Sequence, residues 1–129
     1  MKGTHGTTFG GSPLACALGI HVLSRLSQDE FKEEMRATAA YLHQRLRVLP
    51  EWFPKTVGPE IRGRGLIVGI PFLKGGDPTR LVQMARERGV LLLTAGTDAV
   101  RLVPSLNVSK VQVDLAVDVI ESCLALMQE

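Results

Sequence analysis

The sequence predicts an α/β fold of the α+β kind, in which helices and a small sheet form two layers. The chain has 129 residues, of which 45% are hydrophobic and 22% charged, a composition typical of a globular domain with its own core. Segments with helical periodicity and capping residues alternate with short apolar runs that end at glycine or proline. The predicted order is loop, helix, helix, one or two strands, helix, two strands and helix.

Composition and charge exclude several classes of protein. The net charge is only +2 and aromatic residues make up 5%, so a nucleic-acid-binding surface is not expected. No apolar run reaches the length of a membrane span, and Met1–His5 lead into glycines rather than into the apolar segment of a signal peptide. An intracellular compartment is therefore expected. Cys16 and Cys123 have no metal-ligand spacing and are expected to be buried, reduced thiols, so no metal site is predicted.

The first thirty residues predict a loop and an unusual helix. Residues 3–11 contain four glycines and three threonines, which is typical of a loop. Ser12 as N-cap and Pro13 at the first helical position then predict a helix over 13–26. This helix is apolar almost all round, so it is expected to pack against something that the sequence does not contain. Ser27 to Glu30 fits a capping box for the next helix.

The remaining elements follow from periodicity and turn residues. The second helix is expected to continue to Pro50, and the apolar run 66–72 predicts a strand covered on both faces. Asp77 and Gly89 bound a short helix, and residues 90–93 and 100–103 predict two further strands. Ser109 to Gln112 forms a capping box for the last helix. That helix carries a narrow polar stripe of Lys110, Asp114, Asp118, Glu121 and Gln128.

Two features could bind an anion. The glycine-rich loop presents backbone N–H groups and threonine hydroxyls ahead of a helix N-terminus, an arrangement that can hold a phosphate, although a plain connecting loop is the alternative. Arg101 lies inside an apolar strand run, where its planar fork could bind a carboxylate. The alternatives for Arg101 are an edge-strand position facing water and an ion pair with an internal carboxylate. The residues themselves leave both questions open.

The other charged or titratable side chains give weaker indications. Arg62 and Arg64 are interpreted as solvated or as partners in structural ion pairs. His21 and His43 lie in helical segments, where an exposed or hydrogen-bonded imidazole is expected. His5 could contact a bound group or orient the loop. No serine, histidine and aspartate arrangement and no pair of carboxylates indicates catalytic machinery.

Three segments form an ordered set of motifs. Residues 3–17 are GTHGTTFGGSPLACA, residues 61–69 are IRGRGLIVG, and TAG at 94–96 is followed by VRLVPSL at 100–106. They resemble the G-x-H-G-x-T-F/Y-G-G-N-P-L-A, R-G-x-G-L-x-x-G and R-x-x-P-x-L segments of class III aminotransferases, the pyridoxal-phosphate enzymes of fold type I. The resemblance covers essentially the whole chain. Within the family, residues 94–107 most resemble acetylornithine aminotransferases, with the ornithine and 4-aminobutyrate types as alternatives.

The resemblance implies a place in the fold and roles for particular residues. Residues 1–28 would be the phosphate loop and connecting helix at the end of the large domain, and residues 29–129 the C-terminal small domain. Thr8, with Thr7, would contact the phosphate of pyridoxal 5'-phosphate in the neighbouring subunit of a homodimer. Arg101 would bind the α-carboxylate of a small amino-acid substrate. Ser12 departs from the family's usual asparagine but remains a competent N-cap.

The resemblance also implies what this chain lacks. The family's chemistry needs a Schiff-base lysine and an aspartate on the pyridine nitrogen, and both normally precede the loop at residues 3–11. No catalytic residue is therefore assigned to this chain, which is expected to be the C-terminal segment of a longer enzyme of arginine biosynthesis in the cytoplasm or mitochondrial matrix. The segment alone is expected to be inactive. A non-catalytic dimerisation or anion-binding module is the alternative of a different class.

Overall fold

The computed structural model describes residues 6–128, which form two compact units, residues 6–34 and residues 35–128. The first unit contains helix α1 (Pro13–Ser27) and the start of α2 (Asp29–Leu46). The second contains the rest of α2 and, in chain order, α3 (Leu49–Trp52), β1 (Arg62–Arg64), β2 (Ile67–Pro71), α4 (Pro78–Glu87), β3 (Leu93–Ala95), β4 (Ala99–Leu102) and α5 (Lys110–Leu126). The predicted fold class is confirmed.

Helix α1 begins where the sequence predicts, but its end differs from the prediction. The Ser12 hydroxyl accepts a hydrogen bond from the Ala15 N–H, and Pro13 opens the helix. At the other end the predicted capping box from Ser27 is wrong. Ser27 is still helical, and its hydroxyl donates to the Leu23 carbonyl at 2.8 Å, so it belongs to α1 instead of capping α2.

No residue of α1 is buried. Six large apolar side chains of this helix are at least one third exposed, which agrees with the expectation that the helix has no partner within the sequence. They are Leu14, Leu18, Ile20, Val22, Leu23 and Leu26. Cys16, predicted to be buried, is also exposed, because it lies on the same unpacked helix.

The second unit is a two-layer structure. Its four strands form an antiparallel sheet in the order β1-β2-β4-β3. One face of the sheet carries Val68, Ile70, Val100 and Leu102, which share a core with side chains from the helices. Those helical side chains are Leu42, Leu46, Leu81, Ala85, Val113, Val117, Ile120 and Leu124. We call the opposite face, which no helix of this unit covers, the outer sheet face.

The outer sheet face corrects the prediction for the apolar run 66–72. Side chains alternate along β2, so Val68 and Ile70 are buried while Ile67 on the other face is 58% exposed. The strand is therefore covered on one face only, as is usual in an antiparallel sheet. The apolar run at 90–93 is also placed differently, because only Leu93 of that run lies in a strand and Leu91 is 83% exposed.

The termini of the last two helices agree with the prediction. The Asp77 carboxylate accepts a hydrogen bond from the Arg80 N–H at 2.9 Å at the start of α4, and Gly89 follows that helix with a positive φ of 83°. At the start of α5 both hydrogen bonds of the Ser109 and Gln112 capping box are present. Local side-chain chemistry therefore fixes where these helices begin.

Candidate functional site

Arg101 lies near the centre of the outer sheet face. It is in β4, an internal strand, between its cross-strand partners Gly69 of β2 and Leu93 of β3. Its side chain is exposed while its neighbours Val100 and Leu102 are buried, so it points away from the core. The edge-strand alternative is therefore wrong. Within residues 6–128, no carboxylate lies within ion-pair distance of its guanidinium.

The two cross-strand neighbours of Arg101 differ in size. Gly69 contributes no side chain, whereas the 56%-exposed Leu93 adds an apolar wall on the other side. Arg62 lies beyond Gly69 in the same cross-strand row, and its guanidinium is 3.8 Å from the Asp98 carboxylate. The interpretation of Arg62 as an ion-pair partner is confirmed, and Arg64 is exposed as expected. In this cross-strand row Arg101 is therefore the guanidinium without a carboxylate partner, and its neighbour on β2 is a glycine.

The N-terminal loop is a second, separate candidate. The Gly10 N–H donates to the Thr7 hydroxyl at 3.2 Å, so Thr7 closes a tight turn. The Ser12 N–H donates to the Phe9 carbonyl, and Gly11 has a positive φ of 81°. Among the described residues, Thr8 has no hydrogen-bond partner for its exposed hydroxyl, and the first turn of α1 holds no acidic residue. The loop can therefore offer a hydroxyl and helix N-terminal N–H groups to an anion.

The histidines form no site in the described chain. His21 is exposed on α1, and the His43 ring nitrogen Nε2 lies 3.0 Å from the Gly65 carbonyl, to which it donates in the tautomer protonated there. His5 lies outside the described residues. In residues 6–128 no group of three or more metal-ligating side chains comes together, and none of the helices described there is long and apolar enough to cross a membrane.

A charged cluster between α2 and α5 was not predicted as a unit. Arg45 of α2 donates to Asp114, to Asp118 at 2.8 Å and to Glu121 at 3.4 Å, all on α5. The Tyr41 hydroxyl donates to Asp114 at 2.6 Å, and this hydrogen bond raises the pKa of Tyr41 because ionisation would remove the donor. The sequence showed the polar stripe of α5 but gave no sign that one arginine of another helix binds most of it.

The two cysteines differ. Cys123 is completely buried in the core, and burial raises the pKa of its thiol, which keeps it protonated and unreactive. Its predicted burial is confirmed. Both cysteines are free thiols, and neither lies in the outer sheet face or in the N-terminal loop.

Comparisons with known proteins identify a family and relatives for this chain. The sequence profile of the family described as aminotransferase class-III matches residues 1–124. The mitochondrial acetylornithine aminotransferase of Yarrowia lipolytica is 38% identical over 95% of this chain, which covers 29% of that enzyme. The acetylornithine aminotransferase of Listeria innocua is also 38% identical over 95% of this chain, which covers 31% of it. The chain thus spans about three tenths of the length of these relatives.

Solved structures give the same result for the fold. The ornithine δ-aminotransferase of Plasmodium falciparum superposes with a TM-score of 0.84 at 28% identity, covering 100% of this chain and 33% of that enzyme. An amine transaminase of an uncultivated Pseudomonas species, solved with pyridoxal phosphate bound, superposes with a TM-score of 0.80 at 26% identity, over 96% of this chain and 30% of that one. From its sequence profile, its relatives and its fold, the chain belongs to the class-III aminotransferases, a family of pyridoxal-phosphate-dependent enzymes.

Proposed function

We propose that this chain is the C-terminal part of an acetylornithine aminotransferase, which transfers an amino group between acetylornithine and 2-oxoglutarate in arginine biosynthesis. The names of its curated relatives support this substrate over ornithine or 4-aminobutyrate. In this proposal residues 1–28 belong to the large domain and residues 29–129 form the small domain. The enzyme is a homodimer of the cytoplasm or the mitochondrial matrix.

The observation that carries the proposal is Arg101. A guanidinium on an internal strand, exposed and without a carboxylate partner in the described chain, is available to a ligand. Its fork matches a carboxylate in two parallel hydrogen bonds, a recognition that lysine cannot reproduce. Arg101 therefore binds the α-carboxylate of the amino acid or the oxo acid and holds the α-carbon in position for reaction.

The N-terminal loop suits the phosphate of the cofactor. Its donors are neutral hydroxyl and N–H groups next to a helix N-terminus without acidic residues, which is the chemistry that phosphate prefers. Glycine at position 10 keeps the turn of this loop closed, because a Cβ there would lie 2.2 Å from Thr7 Cγ2 and would open the turn. Thr8 holds the phosphate through its hydroxyl, and Thr7 holds the turn and adds its own oxygen to the site. The loop serves the active site of the neighbouring subunit.

With Arg101 binding substrate and the loop binding phosphate, the covalent chemistry is carried out by the rest of the enzyme. Pyridoxal phosphate, when bound, supplies an electron sink that makes the α-proton of an amino acid removable. Two of the described lysines have other partners, since Lys32 pairs with Asp29 and Lys110 lies over the Tyr41 ring. The segment alone is therefore inactive, and its contribution is to bind and orient.

The test is Arg101→Lys in the full-length enzyme that carries this segment. Because lysine keeps the charge but loses the fork, we expect kcat/KM for acetylornithine and for 2-oxoglutarate to fall by about 100-fold. The absorbance of the bound cofactor should stay unchanged. Arg36→Lys, an exposed arginine on α2, is the matched control and should be silent. Unchanged kinetics in Arg101→Lys would remove this residue from the substrate site, and a substrate panel that prefers unacetylated ornithine would overturn the substrate assignment.

A further inference from the structure

Gly69 lies directly opposite Arg101, in a strand where glycine is unfavourable. A glycine within a strand lowers stability relative to alanine, because it loses more backbone entropy and has no side chain to pack. Gly69 is the cross-strand partner of both Arg62 and Arg101. The strand itself therefore does not explain why residue 69 is a glycine.

Neither the backbone conformation nor the packing of Gly69 requires a glycine at this position. The φ of Gly69 lies outside the left-handed region that favours glycine. A Cβ at this position would lie 3.9 Å from Arg62 Cβ and 4.0 Å from the Val100 carbonyl oxygen, which are ordinary contacts. Gly63 in the same hairpin is different, because its φ is 121° and a Cβ would lie 2.2 Å from the Ile67 carbonyl oxygen. The hairpin thus requires glycine at 63 and does not require it at 69.

What a side chain at 69 would change is the space beside Arg101. Side chains directly opposite each other in an antiparallel pair have Cβ atoms about 4.5–5.5 Å apart, so a side chain at 69 would lie against the stem of Arg101. The other flank of Arg101 is already occupied by Leu93. On the β2 side residue 69 has no side chain and Gly69 is only partly buried, so its backbone is accessible next to Arg101 within the second unit. The Arg62 side chain, which pairs with Asp98, borders this position from β1.

We infer that Gly69 is a positioning residue for the substrate: the carboxylate end of the amino acid or oxo acid lies against the backbone of Gly69 while Arg101 binds it. A glycine in a strand often marks the place where a ligand approaches the backbone closely. This inference rests on the proposed role of Arg101. It adds a steric requirement, namely that the residue opposite the arginine must not project onto the outer sheet face.

The test is a size series at residue 69 in the full-length enzyme. Gly69→Ala should raise KM for both substrates by about 3-fold, since its methyl group lies where the carboxylate meets the backbone, and Gly69→Val should raise KM by more than about 10-fold. Binding of glutarate, a dicarboxylate that cannot react, should weaken in the same order when it is measured by calorimetry. Cofactor content should stay at the wild-type value, and the melting temperature should not fall. Ile67→Val, on the same face of the same strand, is the matched control.

The outcomes separate this inference from the proposed function. Wild-type KM and glutarate affinity in Gly69→Val would overturn the inference, even if Arg101→Lys is impaired. Loss of cofactor or of thermal stability with unchanged KM would also overturn it, since Gly69 would then serve contacts with the rest of the enzyme. If Gly69→Val does not fold, Gly69→Ser provides the same comparison with one added hydroxyl. Normal kinetics in Arg101→Lys would instead refute the proposed function, whatever the result at residue 69.

Discussion

Replacing Arg45 by methionine tests whether the cluster between α2 and α5 stabilises the second unit. Methionine keeps much of the apolar stem of arginine but removes the charge and the donors. Arg45 binds three carboxylates of α5, and its own side chain is 25% exposed. The substitution therefore leaves three acidic groups on one helix without their common partner.

The magnitude follows from the exposure of each carboxylate. Asp114 and Glu121 are 37% and 22% exposed, so each pair contributes roughly 1 kcal/mol, near the upper end for partly exposed pairs. Asp118 is 64% exposed and contributes only about 0.3 kcal/mol. Repulsion between the acidic groups left on α5, three and four residues apart, adds roughly another 0.3 kcal/mol for each pair. The expected loss is about 3 kcal/mol, a large part of the 5–15 kcal/mol that stabilises a typical domain.

Urea unfolding of this chain measures the effect. With a slope of about 2 kcal/mol per molar urea, the midpoint of Arg45→Met should fall by about 1.5 M. Arg36→Met removes the same charge from an exposed position of α2 and should shift the midpoint by less than about 0.3 M. Equal shifts in the two variants, or a loss below about 0.5 kcal/mol for Arg45→Met, would refute the idea that the cluster is a stabilising unit.

Two further predictions concern Tyr41 and Thr8. The pKa of Tyr41 is raised in the folded chain, so its hydrogen bond to Asp114 contributes fully below the ordinary tyrosine pKa of about 10 and is lost as pH rises through the folded pKa. Tyr41→Phe should therefore be less stable than wild type at pH 8 and should approach it above pH 10 in urea unfolding, whereas a constant difference would contradict this reading. Thr8→Glu in the full-length enzyme should abolish cofactor retention because it places a carboxylate beside the phosphate, and Thr8→Ser should retain the cofactor. In a hybrid dimer of Thr8→Glu with a variant that lacks the cofactor lysine, one active site combines the intact lysine of the first subunit with the intact loop of the second. Co-expression of the two variants should therefore restore activity, and failure to do so would refute a site shared between subunits.

Local chemistry in the sequence predicted most of the secondary structure. Ser12, Asp77 and Ser109 each cap a helix as expected, because a cap depends only on residues within one turn. The Ser27 prediction was wrong because the hydroxyl could either accept from a backbone N–H of α2 or donate to a carbonyl of α1, and it donates to the Leu23 carbonyl. The prediction that the strand in the apolar run 66–72 is covered on both faces was wrong for another reason. Which face of a strand is covered depends on partners that are distant in the sequence.

The candidate site was predictable to a different degree. Arg101 stood out because a charge within an apolar strand run is unusual, but its internal strand position needed the sheet order. Gly69 was not a candidate site residue from the sequence, because only the strand register brings it opposite Arg101. Arg45 was equally hidden, since its three partners lie about seventy residues away on α5.

The central claim is that this segment binds substrate and phosphate but does not carry the cofactor lysine. Borohydride reduction of the full-length enzyme loaded with pyridoxal phosphate, followed by peptide mapping, tests this most directly. The account predicts stoichiometric label on a single lysine outside residues 1–129. Stoichiometric label on one of the segment's own lysines would contradict it, and these are Lys2, Lys32, Lys55, Lys74 and Lys110.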